Sequence, residues 1–334
     1  MFSQRFPDLF DGIVAVAPAM RVSEGATIAA AWTTQKLMAV APPGSDGKPV
    51  LARAFSDAQL QRVASATLER CDAQDGLKDG LVQGRCEIDP AALQCAPGAS
   101  GDCLTPAQAN ALREMMAGPR NRAGAPLYFG WPWDPGLAAP GWRAWTLGGA
   151  GDGVPPDSRH VTLMSGALGH EFVTPPDPAL NVLGFDFERD PARLHAFHRV
   201  YDTADDVQLD AFRQRRGKLL MFHGKADPIF SSFESEDYLR RLQATHGEAT
   251  TAAFARLFLV PGMNHCSGGP ATDAFDGLAA IVDWVEQGRA PQRVVARGTA
   301  GALQGVARPL CPWPTAAIYR GSGDVKDAAS FACR

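Results

Sequence analysis

His265 and Cys266 close the run Leu257-Phe-Leu-Val-Pro-Gly-Met-Asn-His-Cys, and Asp227 lies earlier, in His223-Gly-Lys-Ala-Asp-Pro. An imidazole that takes a proton from a hydroxyl needs a carboxylate to fix its tautomer and stabilise the imidazolium. Aspartate then histidine, each just past a late strand pattern, is the chain order of an α/β-hydrolase triad, in which the serine comes first. The bland reading of the same residues is a turn aspartate and a surface-loop histidine. His223, at a strand end, reads as a packed or backbone-bonded histidine before it reads as a base. No nucleophile stands in an obvious place. A nucleophile elbow needs small residues two positions either side of its serine. Ser267 has the bulky His265 two positions before it, and Ser165 follows no strand pattern.

Two further constellations could carry chemistry. Cys71-Asp72-Ala-Gln-Asp75-Gly-Leu77-Lys-Asp79-Gly-Leu81 packs three carboxylates into eight residues. Such a set needs solvent or a cation to neutralise it; Ca²⁺, with its six to eight hard oxygen ligands, is one solution and a solvated acidic turn the other. The spacing departs from the EF-hand pattern. A bridge between Cys71 and Cys86 would close this loop and contribute roughly 3 kcal/mol in the chain-entropy picture. Tyr128-Phe-Gly-Trp131-Pro-Trp133, with Trp142 and Trp145, reads either as an apolar wall for a flat substrate or as ordinary packing.

The elements that must position these residues alternate between strand and helix only at the two ends of the chain. Gly12 to Ala17 reads as a short buried strand, Lys218 to Gly224 and Phe254 to Val260 as two more, and Ala274 to Gln287 as an amphipathic helix. Between them, residues 45–205 are rich in Gly, Pro, Asp and Trp; Ser56 and Thr105 stand as helix N-caps, the latter with Pro106 at the first helical position. These patterns divide the chain into a first core part (1–44), a lid-like insertion with the acidic loop (45–205), and a second core part with a Pro/Gly-rich tail (206–334). The expected fold class is α/β. The opening segment reads as the tail of a helix with no starting cap, so the N-terminus is expected to be cut.

With 334 residues, a net charge of −4 and 20% charged residues, nothing marks a nucleic-acid or anionic-membrane partner. No apolar run reaches the length of a membrane span, and no signal peptide is visible. Six of the seven cysteines fall into local pairs, Cys71 with Cys86, Cys95 with Cys103 and Cys311 with Cys333, as in an extracytoplasmic disulfide framework. Cys266 is left over.

Taken together, Gln4-Arg-Phe-Pro-Asp-Leu-Phe-Asp-Gly-Ile-Val-Ala-Val-Ala-Pro-Ala19, Cys71 to Gly80, His223 to Pro228, Val260 to Pro270 and Leu310-Cys-Pro-Trp-Pro with Gly321-Ser-Gly-Asp324 closely resemble the tannase/feruloyl esterase family of α/β-hydrolases, from end to end. The resemblance implies a partial α/β-hydrolase sheet core under a large irregular lid. It implies hydrolysis of esters of aromatic (phenolic) acids through a serine acyl-enzyme, with Asp227 as the acid and His265 as the base. It implies a structural Ca²⁺ held by the side chains of Asp72, Asp75 and Asp79 and the backbone carbonyls of Leu77 and Leu81, and a secreted or periplasmic protein. In the family, the cysteine after the histidine bonds to one just before the catalytic serine, in a Gly-Cys-Ser-x-Gly-Gly elbow. That elbow is expected about ten residues before this chain begins. Residues 1–334 are therefore expected to be inactive alone. A non-catalytic calcium-binding remnant and another serine hydrolase, such as a peptidase of related fold, are the rival expectations.

Overall fold

The computed structural model describes all residues 1–334. Its centre is a parallel three-stranded sheet, β1 (Gly12–Val16), β2 (Lys218–Gly224) and β3 (Ala255–Val260), with β2 in the middle. Gly12 pairs with Lys218, and Gly224 with Val260, so β2 and β3 end together. The near-continuous apolar run of β2 fits a strand covered on both faces. Alternation then sorts its side chains. Leu219 and Met221 join Leu257, Tyr238, Leu239 and Leu242 on one face, where helix Ser232–His246 packs. Leu220 and Phe222 join Phe258, Val260, Ile281 and Trp284 on the other, under helix Gly277–Gln287. Phe222 is fully buried and stacks on both Phe258 and Phe275, at 5.1 and 4.4 Å between ring centroids.

Two expectations need correction. β1 is half-buried throughout rather than buried, because it lies at the sheet edge with a strand on one side only. The amphipathic helix begins at Gly277, not Ala274. Asp276 caps it by accepting from the Ala279 amide, and Ala274–Phe275 instead form β4, antiparallel to β5 (Val294–Arg297). β5 continues to β6 (Ala307–Leu310), and β7 (Ala317–Tyr319) pairs with β8 (Phe331–Cys333) in the tail.

The stretch between β1 and β2 holds helices and loops but no named strand. Helices Asp57–Cys71 and Pro106–Ala117 both start with a capping box, on Ser56 and Thr105. In a capping box the side chains of the cap and the third helical residue satisfy two otherwise orphaned amides. Helix Thr27–Met38 lies within segment 1–44, yet it packs on the insertion: Leu37 joins Leu60, Leu112 and Trp142, and Ile28 joins Leu168 and Phe185. Disulfides join Cys71 to Cys86, Cys95 to Cys103 and Cys311 to Cys333; Cys266 is free and exposed.

Candidate active site

Asp227 lies just past the end of β2 and His265 just past the end of β3, so the parallel register brings both to one edge of the sheet. Strand C-terminal ends are where open α/β sheets gather their ligands. Asp227 Oδ2 is 2.9 Å from His265 Nδ1. A carboxylate accepts, so Nδ1 carries the proton and Nε2 offers its lone pair; no hydrogen bond in the chain engages Nε2. Asp227 Oδ1 accepts from the amides of Ile229 and Phe230 at 2.8 and 3.1 Å.

The carboxylate is buried, and burial alone would raise its pKa. The adjacent His223 ring and the direct His265 hydrogen bond outweigh burial and lower it to about 2. His265 supplies the direct bond. His223 Nε2 lies 3.6 Å from Oδ2, too far for a full hydrogen bond, and instead donates to the Phe230 carbonyl at 2.9 Å. Its Nδ1 then accepts from the Ser235 hydroxyl, at 2.7 Å. The bland expectation for His223 holds, and its place beside Asp227 makes it part of that carboxylate's setting.

The insertion grips this edge. Trp131 Nε1 donates to the Asp227 carbonyl at 2.9 Å, and buried His160 donates from Nε2 to the Pro228 carbonyl at 3.1 Å. Burial lowers the His160 pKa to about 4. The ring is neutral near pH 7, and its Nδ1 lone pair has no donor. Gly136 lies so close to the core that a Cβ there would meet Gly262 O at 2.5 Å. Asp134 accepts from the Gly136 and Gly262 amides, and Asn264, beside the histidine, donates to Gly136 O and Ala226 O. Gly224 is equally tight: a Cβ would lie 2.3 Å from Met263 O, inside the loop that carries His265.

The aromatic residues divide between the two readings. Trp133 and Trp142 are buried in the insertion's core. Tyr128 donates to buried Glu234 at 2.8 Å. Trp145 meets the His265 ring edge-on at 5.8 Å, and Phe230 tilts against it at 5.5 Å. Trp131 stood out only as part of the aromatic run, and nothing in the residue pattern singled out His160, Asp134 or Asn264. The adjacency of Asn264 to His265 is the one signal that could have.

The acidic loop offers oxygens that a calcium ion could take. Asp75 is buried, its Oδ2 has no hydrogen-bond partner, and burial with the nearby charges of Asp79 and Asp72 raises its pKa to about 6. The Leu77 and Leu81 carbonyls accept no hydrogen bond from the chain, although Leu81 is fully buried. Unpartnered buried oxygens facing other carboxylates suit a hard cation. Both Asp72 oxygens accept amides from the Asp79–Gly80 turn, and Asp79 Oδ2 also takes the buried guanidinium of Arg308, at 2.5 Å. The three carboxylates stand farther apart than one ion's shell: the one His/Cys/Asp/Glu group whose ligand atoms all lie within 4.8 Å of one another is Glu24, His195 and His198. The donor chemistry fits calcium, and the ion would draw the aspartates together.

Sheet, edge and Asp–His pair define an α/β-hydrolase-like protein. A family model described as "Tannase and feruloyl esterase" matches residues 1–334. The chain is 43% identical over 372 residues to a mono(2-hydroxyethyl) terephthalate hydrolase of Piscinibacter sakaiensis, covering 100% of this chain and 61% of that protein. It is 30% identical to a probable feruloyl esterase B-2 of Aspergillus terreus, over 99% of this chain and 62% of the relative. Among solved structures, feruloyl esterase B from Aspergillus oryzae superposes with a TM-score of 0.79 at 25% identity, over 100% of this chain and 65% of that one. The chain belongs to the tannase and feruloyl esterase family of carboxylic ester hydrolases. It spans less than two thirds of the length of these relatives.

The depressed pKa of Asp227 makes a stability prediction. A carboxylate whose folded pKa lies below its unfolded value stabilises the fold above the unfolded value, and loses that contribution as pH falls through the folded one. The shift from 3.8 to about 2 corresponds to about 2 kcal/mol. Urea unfolding of Asp227→Asn should show a deficit of that size at pH 6, shrinking between about pH 4 and pH 2. A pH-independent deficit would contradict the ionised, hydrogen-bonded state.

Proposed function

We propose that Asp227 and His265 are the acid and base of a Ser-His-Asp ester hydrolase acting on esters of aromatic acids. The observation that carries this reading is the 2.9 Å bond between Asp227 Oδ2 and His265 Nδ1, which leaves Nε2 with a free lone pair. In this reading, His265 Nε2 takes the proton of a serine hydroxyl as it attacks the ester carbonyl, then returns it to the departing alcohol. A water, deprotonated by the same nitrogen, then attacks the acyl-serine; the acid leaves as the imidazolium returns the proton to the serine oxygen. Asp227 stays ionised throughout and stabilises the imidazolium. Trp145 and Phe230, packed against the imidazole, supply apolar surface for a planar acyl group. No serine of residues 1–334 bonds to His265, so the nucleophile is proposed to come from the family's Gly-Cys-Ser-x-Gly-Gly elbow, with Cys266 bonded to the cysteine of that elbow.

Joining the unmatched remainder of the Piscinibacter relative to residues 1–334, in that relative's chain order, tests the roles. The chimera should hydrolyse feruloyl or terephthaloyl esters, and His265→Ala should lower its kcat about 10⁴-fold or more. A folded chimera whose kcat is indifferent to His265→Ala would refute the assignment. Residues 1–334 alone should resist a fluorophosphonate probe, and labelling would locate a nucleophile among them.

Calcium belongs to the same proposal. The side chains of Asp72, Asp75 and Asp79 and the carbonyls of Leu77 and Leu81 would hold it, and the ion would neutralise the loop's charge without entering the chemistry. Calcium at about 1,000 times its Kd should stabilise the fold by about 4 kcal/mol, an increment lost in Asp75→Ala. A melting temperature indifferent to calcium and EGTA would end this part. The three disulfides suit an oxidising compartment, secreted or periplasmic.

A further inference from the structure

Glu24, His195 and His198 form a cluster that the acid–base pair does not use. One carboxylate oxygen and one nitrogen from each ring lie within 4.8 Å of one another. Glu24 stands in the π-turn Val22–Ala26, His195 ends the short helix Pro191–His195, and His198 opens the next, His198–Tyr201. The two rings lie face to face, 4.3 Å between centroids and within 10° of parallel. The cluster is built from three separate elements.

The hydrogen bonds restrict what these rings can do. His198 Nδ1 is 2.6 Å from the His195 carbonyl, which can only accept, so Nδ1 is protonated and the lone pair sits on Nε2. No partner in the chain takes that lone pair. A ring N–H held on a backbone carbonyl, with the other nitrogen left open, is the usual setting of a metal-binding histidine. His195 Nδ1 is 2.6 Å from Glu24 Oε1, and its side chain is 70% exposed, so the ring has room to turn. His198 also borders an open hollow of 350 Å³ that it shares with Gln4, Arg5, Asp202 and Asp205. None of the hollow's lining residues is hydrophobic. Water and ions therefore reach the cluster from outside.

Two imidazoles and one carboxylate suit zinc and its first-row neighbours, whereas calcium and magnesium favour oxygen-only sets. We propose that Glu24, His195 and His198 bind one zinc-class divalent ion, with solvent completing its shell. The ion takes the place of the proton between Glu24 and His195, the neutral His195 ring then carrying its single proton on the exposed Nε2, and the ligands draw in to a tetrahedral spacing of about 3.4 Å. Bound metal would tie the turn at Glu24 to the segment carrying His195 and His198.

Calorimetric titration of the protein with zinc chloride, in excess calcium so that the acidic loop does not compete, tests this. One equivalent should bind, and hydrogen exchange should slow over residues 191–201. His195→Ala and His198→Ala should each weaken binding by roughly tenfold to a hundredfold or more. Both positions are exposed or half-buried, so the fold should survive, and calcium-dependent melting checks that it does. His265 and Cys266 offer a competing nitrogen and sulfur, so Cys266→Ser should leave zinc binding unchanged. No saturable zinc binding, equal affinity in both histidine variants, or loss of binding in Cys266→Ser would each overturn the proposal.

Discussion

The site depends on keeping one carboxylate ionised where water cannot reach it. Asp227 has no exposed side-chain surface, and an isolated charge in such a place would take up a proton instead. Two backbone amides satisfy one of its oxygens, and the His265 ring satisfies the other. Turning the strand end back on itself at 227–230 aims the Ile229 and Phe230 amides at Oδ1. The tautomer of His265 follows, and with it the open lone pair on Nε2.

The insertion does more than cover the edge. Trp131, His160 and Asp134 reach across to the carbonyls of Asp227 and Pro228 and the amide of Gly262, so both loops that carry the pair are held by groups outside the sheet. The tail does likewise for the acidic loop, where Arg308 on β6 forms a buried pair with Asp79. Buried polar bonds of this kind are costly to break, since each partner is left unsatisfied. They make the insertion and tail part of the site's rigidity, although the sheet alone sets its position.

The sequence was most legible where one local rule decided the outcome. The apolar run Lys218 to Gly224 had to be a covered strand, Ser56 and Thr105 had to begin helices, and the spacing of Asp227 and His265 past two strands put them on one edge. The half-burial of β1 was hidden because burial depends on which strands lie beside it, and the sequence of a strand does not name its neighbours. The start of the last helix was misjudged because Ala274 and Phe275 suit either state, and only the pairing with β5 decides. His160 and Asp134, and the bond that Trp131 makes, escaped notice for a related reason: their partners are backbone groups about 70 to 130 residues away. The aromatic run could not be resolved by composition, since Trp133 and Trp145 occupy opposite roles.

The most direct test is low-field proton NMR of the chain, with assignment of the His265 Nδ1–H. A proton held between Asp227 and His265 should give a resolved signal far downfield, absent in His265→Ala and lost in Asp227→Asn while the rest of the spectrum stays folded. The signal should weaken as pH falls toward the Asp227 pKa of about 2. A folded protein with no such signal, or one whose signal survives Asp227→Asn, would contradict the account.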